Sequence, residues 1–160
     1  MDKTQFSSAM KTYWDMVYRV ALNICGNAYD AEDAVQEVML KLYTHVCLKG
    51  KQFDSDAHIK HWLVRVTINY CKGALRSFWR KHRVSLEDLA EAQFFDQPEQ
   101  SELFLAVMSL PEQQRLPLYL YYYEEYSTKE IAGLLGLSEA HVRTRLSRAR
   151  NKLGEVLQNE

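Results

Sequence analysis

Apolar side chains return at intervals of three and four along most of the chain, and the strict alternation a strand requires is found nowhere. Phe6, Met10, Tyr13, Val17, Ala21 and Ile24 form one stripe, after which Gly26 and Asn27 are expected to stop a first helix. A second stripe, Val35, Val38, Met39, Leu42 and Val46, predicts a helix from near Asp30 to about Val46. Asp30, Glu32 and Asp33 in its first turn suit the positive end of the helix dipole. The segment LKGKQFDSDAH reads as a loop. Beyond it, Ile59, Trp62, Leu63, Val66 and Tyr70 predict the inward face of a third helix from about Ile59 to Lys81. Gly73 within it costs about 1 kcal/mol relative to alanine and marks a place to bend.

Residues 84–104 lose the periodicity, lean acidic and contain Pro98, so they read as a linker with no more than one short helical turn. The pattern resumes at SLPEQQ, where Ser109 can cap and Pro111 can occupy the first turn of a helix. Pro117, deeper in, removes a hydrogen bond and invites a kink. Ser127 followed three residues later by Glu130 is a capping-box arrangement, with Ile131, Leu134 and Leu135 on one face of the helix it opens. Gly136 supplies the left-handed residue that ends this helix, Leu137 fills the corner, and Ser138 is placed to cap the next. Helix, glycine turn and helix make the helix-turn-helix plan. The expected fold is therefore all-α: two small helical domains, residues 1–83 and 105–160, joined by an acidic linker at 84–104, the second being the helix-turn-helix.

In the closing helix Val142, Leu146, Ala149 and Leu153 share one face. Ala140, Thr144 and Ser147 occupy the other, with His141, Arg143 and Arg148 beside them. Short side chains let a helix approach the floor of a major groove while flanking guanidinium groups reach phosphates or guanine edges. A merely solvated cationic face is the plain alternative, and the absence of any acid between 140 and 154 weighs against it. The tyrosines Tyr119, Tyr121, Tyr122 and Tyr123 are expected to form the bulky core that fixes this pair of helices.

Net charge is only −1 over 160 residues, but the sum hides a segregation. Between 57 and 86 stand Lys60, Arg65, Lys72, Arg76, Arg80, Lys81 and Arg83 with no acid, and from 87 to 112 there are acids and no bases. Two positive blocks parted by an acidic spacer suit one polyanion held at two places. The first block interleaves Trp62, Tyr70, Phe78 and Trp79, and stacking of aromatic faces on unpaired bases contributes about 1–3 kcal/mol per base. Trp62 and Tyr70 also lie on the apolar stripe, so a core role stays open for them, whereas Phe78 and Trp79 near the helix end are better candidates for exposure.

Other chemistries find little support. No apolar run approaches the roughly 20 residues of a membrane span, and the N-terminus lacks the layout of an export signal, so a cytoplasmic protein without membrane insertion of its own is expected. Cys25, Cys47 and Cys71 are odd in number and widely spaced, and read as buried thiols without redox or metal roles. No nucleophile-base set, metal-ligand spacing or phosphate-cradling glycine loop is visible, so no catalytic residue and no cofactor is assigned.

At this point the residues resemble a family, the extracytoplasmic-function (ECF) sigma factors of bacterial RNA polymerase, within the sigma-70 family. DAEDAVQEVMLKLY, at 30–43, is similar to the family's region-two helix that docks on the polymerase clamp. IKHWLVRVTINYCKGALRSFWRKHR is similar to the helix that melts and reads the minus-ten element, and LPEQQRLPLYLYYYEEYSTKEIAGLLGLSEAHVRTRLSRARNKL resembles region four, which binds the minus-thirty-five element. The resemblance implies that Asp33, Gln36, Glu37 and Leu40 contact the clamp, and that Lys60, Arg65, Asn69, Lys72, Arg76, Phe78, Trp79 and Arg80 serve minus-ten recognition and melting. It further implies that Ser138, Ala140, His141, Arg143, Thr144, Ser147 and Arg148 serve minus-thirty-five recognition. Part of the loop at 48–58, near Lys51 to Asp56, would embrace a flipped base. Core polymerase, through clamp and flap, promoter DNA and an anti-sigma factor are the implied partners, and an external or stress signal the implied trigger. Glu125 departs from the family, where glycine is frequent before the serine of the helix-turn-helix. A conventional operator-binding regulator remains the rival reading.

Overall fold

A computed structural model describes residues 2–74 and 98–158. Among them the regular elements are all helical: α1 (Lys3–Cys25), α2 (Ala28–Tyr43), a π-helical turn (Thr44–Leu48), α3 (Asp56–Ala74), α4 (Pro98–Met108), α5 (Glu112–Tyr122), α6 (Thr128–Leu135) and α7 (Glu139–Gln158). They fall into two compact units, one holding α1, α3 and α2 from Tyr29 onward, the other α4 to α7 together with residues Gly26–Ala28. Arg76, Phe78, Trp79 and Arg80, the last stretch of the expected third helix and most of the expected linker lie outside the described residues.

In the first unit α1 ends where Gly26 turns left-handed, with φ of 78°, and α2 opens at Ala28, two residues before the expected start. Asp30 still falls in its first turn, as the dipole argument requires. Val17, Val20, Ala21 and Ile24 of α1 meet the same core as Val35, Val38 and Leu42 of α2, all at 1% exposure or less. Burying a side chain of this size stabilises by about 1.5–3 kcal/mol.

The inward face of α3 is not the stripe the sequence suggested. Its fully buried positions are Leu63, Val64, Thr67, Ile68 and Cys71, while Ile59, Trp62, Val66 and Tyr70 are only half-buried. The face is rotated because Thr67 belongs to the core. Its hydroxyl donates to the Leu63 carbonyl at 2.6 Å, which satisfies the one polar group that otherwise forbids burial. The helix continues through Gly73 to Ala74.

The second unit departs from expectation at three points. Pro98, read as linker, is the first residue of the eleven-residue helix α4, where a missing N–H costs no hydrogen bond. Ser109 does not cap α5; its hydroxyl donates back to the Ala106 carbonyl at 2.6 Å, and Pro111 stands at the N-cap. The carbonyls ending α4 are met instead by buried Arg115, whose guanidinium donates to Leu110 at 3.1 Å and Met108 at 3.4 Å. Third, α5 runs on through buried Pro117 to Tyr122. Leu110, Leu116, Leu120, Ile131 and Leu146 form the core of this unit, each at 1% exposure or less.

Candidate nucleic-acid interface

The turn before α7 is built from short-range contacts. Ser127 Oγ accepts from the Glu130 N–H at 3.1 Å and Glu130 Oε1 accepts from the Ser127 N–H at 3.0 Å, the complete reciprocal box. Gly136 closes α6 at φ 68° and ψ 36°, and the Leu137 N–H reaches back to the Ala132 carbonyl at 3.0 Å. Ser138 Oγ then accepts from the His141 N–H at 3.1 Å, opening α7. Thr128 donates to Glu139 at 3.0 Å, tying the start of α6 to the start of α7.

With the turn fixed, α7 buries Val142, Leu146 and Ala149 and leaves Ser138, Ala140, His141, Arg143, Thr144, Ser147 and Arg148 exposed together. The Thr144 hydroxyl rests on the Ala140 carbonyl at 3.1 Å, and Arg143 lies 3.8 Å from Glu139 across an exposed pair that restrains it little. Arg150 is differently employed. Its guanidinium donates to the Tyr122 hydroxyl and sits 5.4 Å and 5.7 Å from the ring centres of Tyr122 and Tyr121.

The tyrosines correct the sequence reading. Tyr122 and Tyr123 are 57% and 56% exposed, and Tyr119 and Tyr121 half-buried, so they are not the core of the helix pair. Tyr126, which the sequence reading passed over, is the buried one. Burial, with Glu124 and Glu130 adding negative charge, pushes its phenol up to about 12. The exposed rings instead line an apolar groove of about 550 Å³, with Leu103 and Val107 of α4, Leu118 of α5, and Leu153 and Leu157 of α7. Alternation of large apolar and aromatic residues in LYLYYY hid this, because every position looked fit for burial.

In the first unit, Asp33, Gln36 and Leu40 share the exposed face of α2, and Glu37 is half-buried beside them. Leu40 is 62% exposed, an apolar side chain at the C-terminal end of this face. On α3, Arg65, Asn69 and Lys72 are exposed and Lys60 half-buried; Arg65 lies 3.3 Å from His61. Grooves between α2 and α3 run from Leu40, Lys41, Thr44, His45, Lys49 and Trp62 to Asn69 and Tyr70. Lys41, Lys49 and His45 escaped the sequence reading, since only folding brings them opposite α3. Burial, then the charge of Glu37, holds the Tyr70 phenol above its ordinary value.

The loop before α3 is held by a cluster of rings packed edge-to-face or tilted. Phe53 lies 5.7 Å from Trp62, 5.4 Å from His45 and 5.0 Å from His58, and His45 lies 4.7 Å from Trp62. His58 Nδ1 accepts from the Asp54 N–H at 3.1 Å. The π-helical turn, closed by the Lys49 N–H on the Thr44 carbonyl at 2.9 Å, aims His45 into this cluster.

Comparison with known proteins gives two family matches: "Sigma-70 region 2" over residues 9–81 and "Sigma-70, region 4" over residues 100–153. The ECF RNA polymerase sigma factor SigM of Bacillus subtilis (strain 168) is 32% identical over 152 residues, covering 88% of each chain. The ECF RNA polymerase sigma factor SigM of Mycobacterium tuberculosis (strain H37Rv) is 29% identical over 160 residues, covering 98% of this chain and 79% of that one. Among solved structures, the sigma factor RpoE of Bartonella quintana, crystallised with the anti-sigma factor NepR, aligns with a TM-score of 0.70 at 21% identity, over 96% of this chain and 97% of that one, a likeness of fold.

Proposed function

The chain belongs to the ECF RNA polymerase sigma factors of the sigma-70 family, and from that premise we propose that it directs core RNA polymerase to specific promoters and starts transcription there without catalysis of its own. Binding energy is divided between two DNA elements. Residues 105–160 hold the duplex at the minus-thirty-five element, with Ala140, Thr144 and Ser147 at close approach and Arg143, His141 and Arg148 on edges and phosphates. Residues 1–83 keep the opened minus-ten strand, through Lys60, Arg65, Asn69 and Lys72 together with Arg76, Phe78, Trp79 and Arg80. Asp33, Gln36, Glu37 and Leu40 take the polymerase clamp.

The observation that carries this reading is the exposed face of α7, where small side chains and arginines stand together with no acid from 140 to 154. The apolar groove lined by Leu103, Tyr122 and Tyr123 supports a second polymerase contact, a helix of the flap laid apolar side down. Regulation by an anti-sigma factor, an external or stress signal, and a cytoplasmic site of action complete the proposal. Among the described residues no helix is long and apolar enough to cross a membrane.

Transcription from a cognate promoter by core polymerase, with and without the chain, tests it. Initiation is expected only with the chain, and equal output in both reactions would point to an operator-binding regulator. More finely, Arg148→Ala should weaken promoter binding and reduce the salt slope by about one ion; an unchanged slope removes the phosphate contact assigned to it.

A further inference from the structure

We propose that Cys25 and Cys71 form a redox-modification site, a buried dithiol that a peroxide oxidises to a disulfide joining the end of α1 to α3. The spacing of the cysteines in the sequence argued against any such role, but the fold sets these two sulfurs 3.8 Å apart across 46 residues. Both lie within the first unit, Cys71 fully buried and Cys25 at 8% exposure. A disulfide holds its sulfurs at about 2.0 Å, so an approach of less than 2 Å closes the bond.

Position favours that approach. Cys25 is the last residue of α1 and precedes Gly26, whose φ of 78° ends the helix, so helical backbone continues from it on one side only. Cys71 stands within the regular helix α3, so whatever part of the closure it takes up moves its helix neighbours with it. Among the described residues no cluster of three or more metal-ligating side chains forms, and two thiols fit a disulfide better than a tetrahedral metal site.

The chemistry balances with one peroxide. Cys25, the less buried of the two residues, gives up its proton and attacks a peroxide oxygen as thiolate; the O–O bond breaks, one OH stays on sulfur as the sulfenic acid, and the released hydroxide takes up that proton and leaves as water. Cys71 then attacks the sulfenic sulfur, the S–S bond forms, the S–O bond breaks and a second water departs. Two thiols and one hydrogen peroxide give one disulfide and two waters, the sulfurs supplying both electrons. In a reducing compartment such a bond is transient and reports an oxidising episode.

Cys71 lies between Asn69 and Lys72, so drawing it toward α1 displaces both. Weaker capture of the opened strand is the consequence, and that part rests on the reading of α3 as the strand-binding helix. The test uses the full chain, reduced, treated with equimolar hydrogen peroxide, alkylated after unfolding and digested with trypsin without reductant. One linked species is expected, joining residues 20–41 to residues 66–72, lighter by two hydrogens than the separate peptides and lost on reduction. Complete alkylation of both thiols, or linkage through Cys47 in equal yield, overturns the site. Cys25→Ala and Cys71→Ala each remove the linked species while leaving the helical signal in place. Binding of an unpaired minus-ten oligonucleotide, followed by fluorescence anisotropy, is expected to weaken several-fold on oxidation and to become insensitive to peroxide in Cys25→Ala. A linked peptide with unaltered strand binding supports the site and overturns its coupling to α3.

Discussion

The turn into α7 and the packing of α3 both present basic side chains outward, yet they are held by contacts of different range. Around Gly136 most of the fixing bonds join residues three to five apart, Ser127 with Glu130, Ala132 with Leu137 and Ser138 with His141, and the longest, Thr128 to Glu139, spans eleven. For α3 the ties reach across the chain, from the Tyr13 hydroxyl to the Asp56 carbonyl at 3.4 Å and from Cys25 to Cys71. A locally built element can lose one contact and keep its shape, whereas a helix placed by distant partners stands or falls with its unit. Damage should therefore be confined on the first side and cooperative on the second.

The largest effect is expected from Leu63→Ala. Leu63 is fully buried, and removing such a side chain costs about 2–5 kcal/mol, a large part of what a small domain possesses. Urea unfolding of this variant should show the first unit melting early, with binding of an unpaired minus-ten oligonucleotide lost and binding of a minus-thirty-five duplex retained. Loss of both together would erase the distinction drawn between the two regions.

Next in size is Gly136→Val. At φ 68° a β-branched side chain meets its own backbone, at a cost of roughly 1–2 kcal/mol. The second unit should unfold at correspondingly lower urea, with duplex affinity reduced as its folded fraction falls, while the first unit keeps its unfolding midpoint. Ser127→Ala, which removes half of the capping box, should cost about 1 kcal/mol by the same measurement.

This difference of range also explains what the sequence disclosed. The capping box, the left-handed glycine and the face of α7 were legible because each depends on residues a few places apart. The exposed residues of α7 fall together where the pattern put them. Thr67 was not legible as core, because its burial depends on a bond to the Leu63 carbonyl that only a formed helix supplies. The same holds for Arg115, whose charge suggests a surface and whose guanidinium ends inside on the carbonyls after α4. The tyrosine run failed differently: LYLYYY is apolar throughout, so periodicity had nothing with which to separate buried Leu118 and Leu120 from exposed Tyr122 and Tyr123. The grooves between α2 and α3, and the dithiol, join segments far apart in the chain and leave no trace at short range.

A gain is expected from Glu125→Gly. Glu125 holds φ of 60°, a left-handed conformation that glycine adopts freely and a side chain resists. Offsetting glycine's extra entropy in the unfolded chain, the substitution should stabilise the second unit by about 0.5–1 kcal/mol, seen as a higher unfolding midpoint. A lower midpoint would mean that the Glu125 side chain contributes more than its backbone costs.

The smallest effect is a pH dependence confined to the first unit. Burial against its neighbours, then the charges of Lys51, Lys49 and His58, hold His45 below its ordinary value of 6.5. With the folded value depressed, the unfolded chain binds more protons near and below pH 6.5, so stability is complete above that pH and declines as the pH falls through it. The melting temperature of the first unit should drop between pH 7.5 and 5.5, and drop less in His45→Phe, which retains a ring against Trp62 without the titration. Attraction of a protonated imidazole to the Trp62 face, 4.7 Å away, works in the opposite direction. Salt separates the contributions: screening weakens the repulsion from exposed Lys49 and Lys51 but leaves the burial penalty intact. A decline that persists in high salt therefore assigns the effect to burial of the ring, and one that vanishes assigns it to the lysines of the loop.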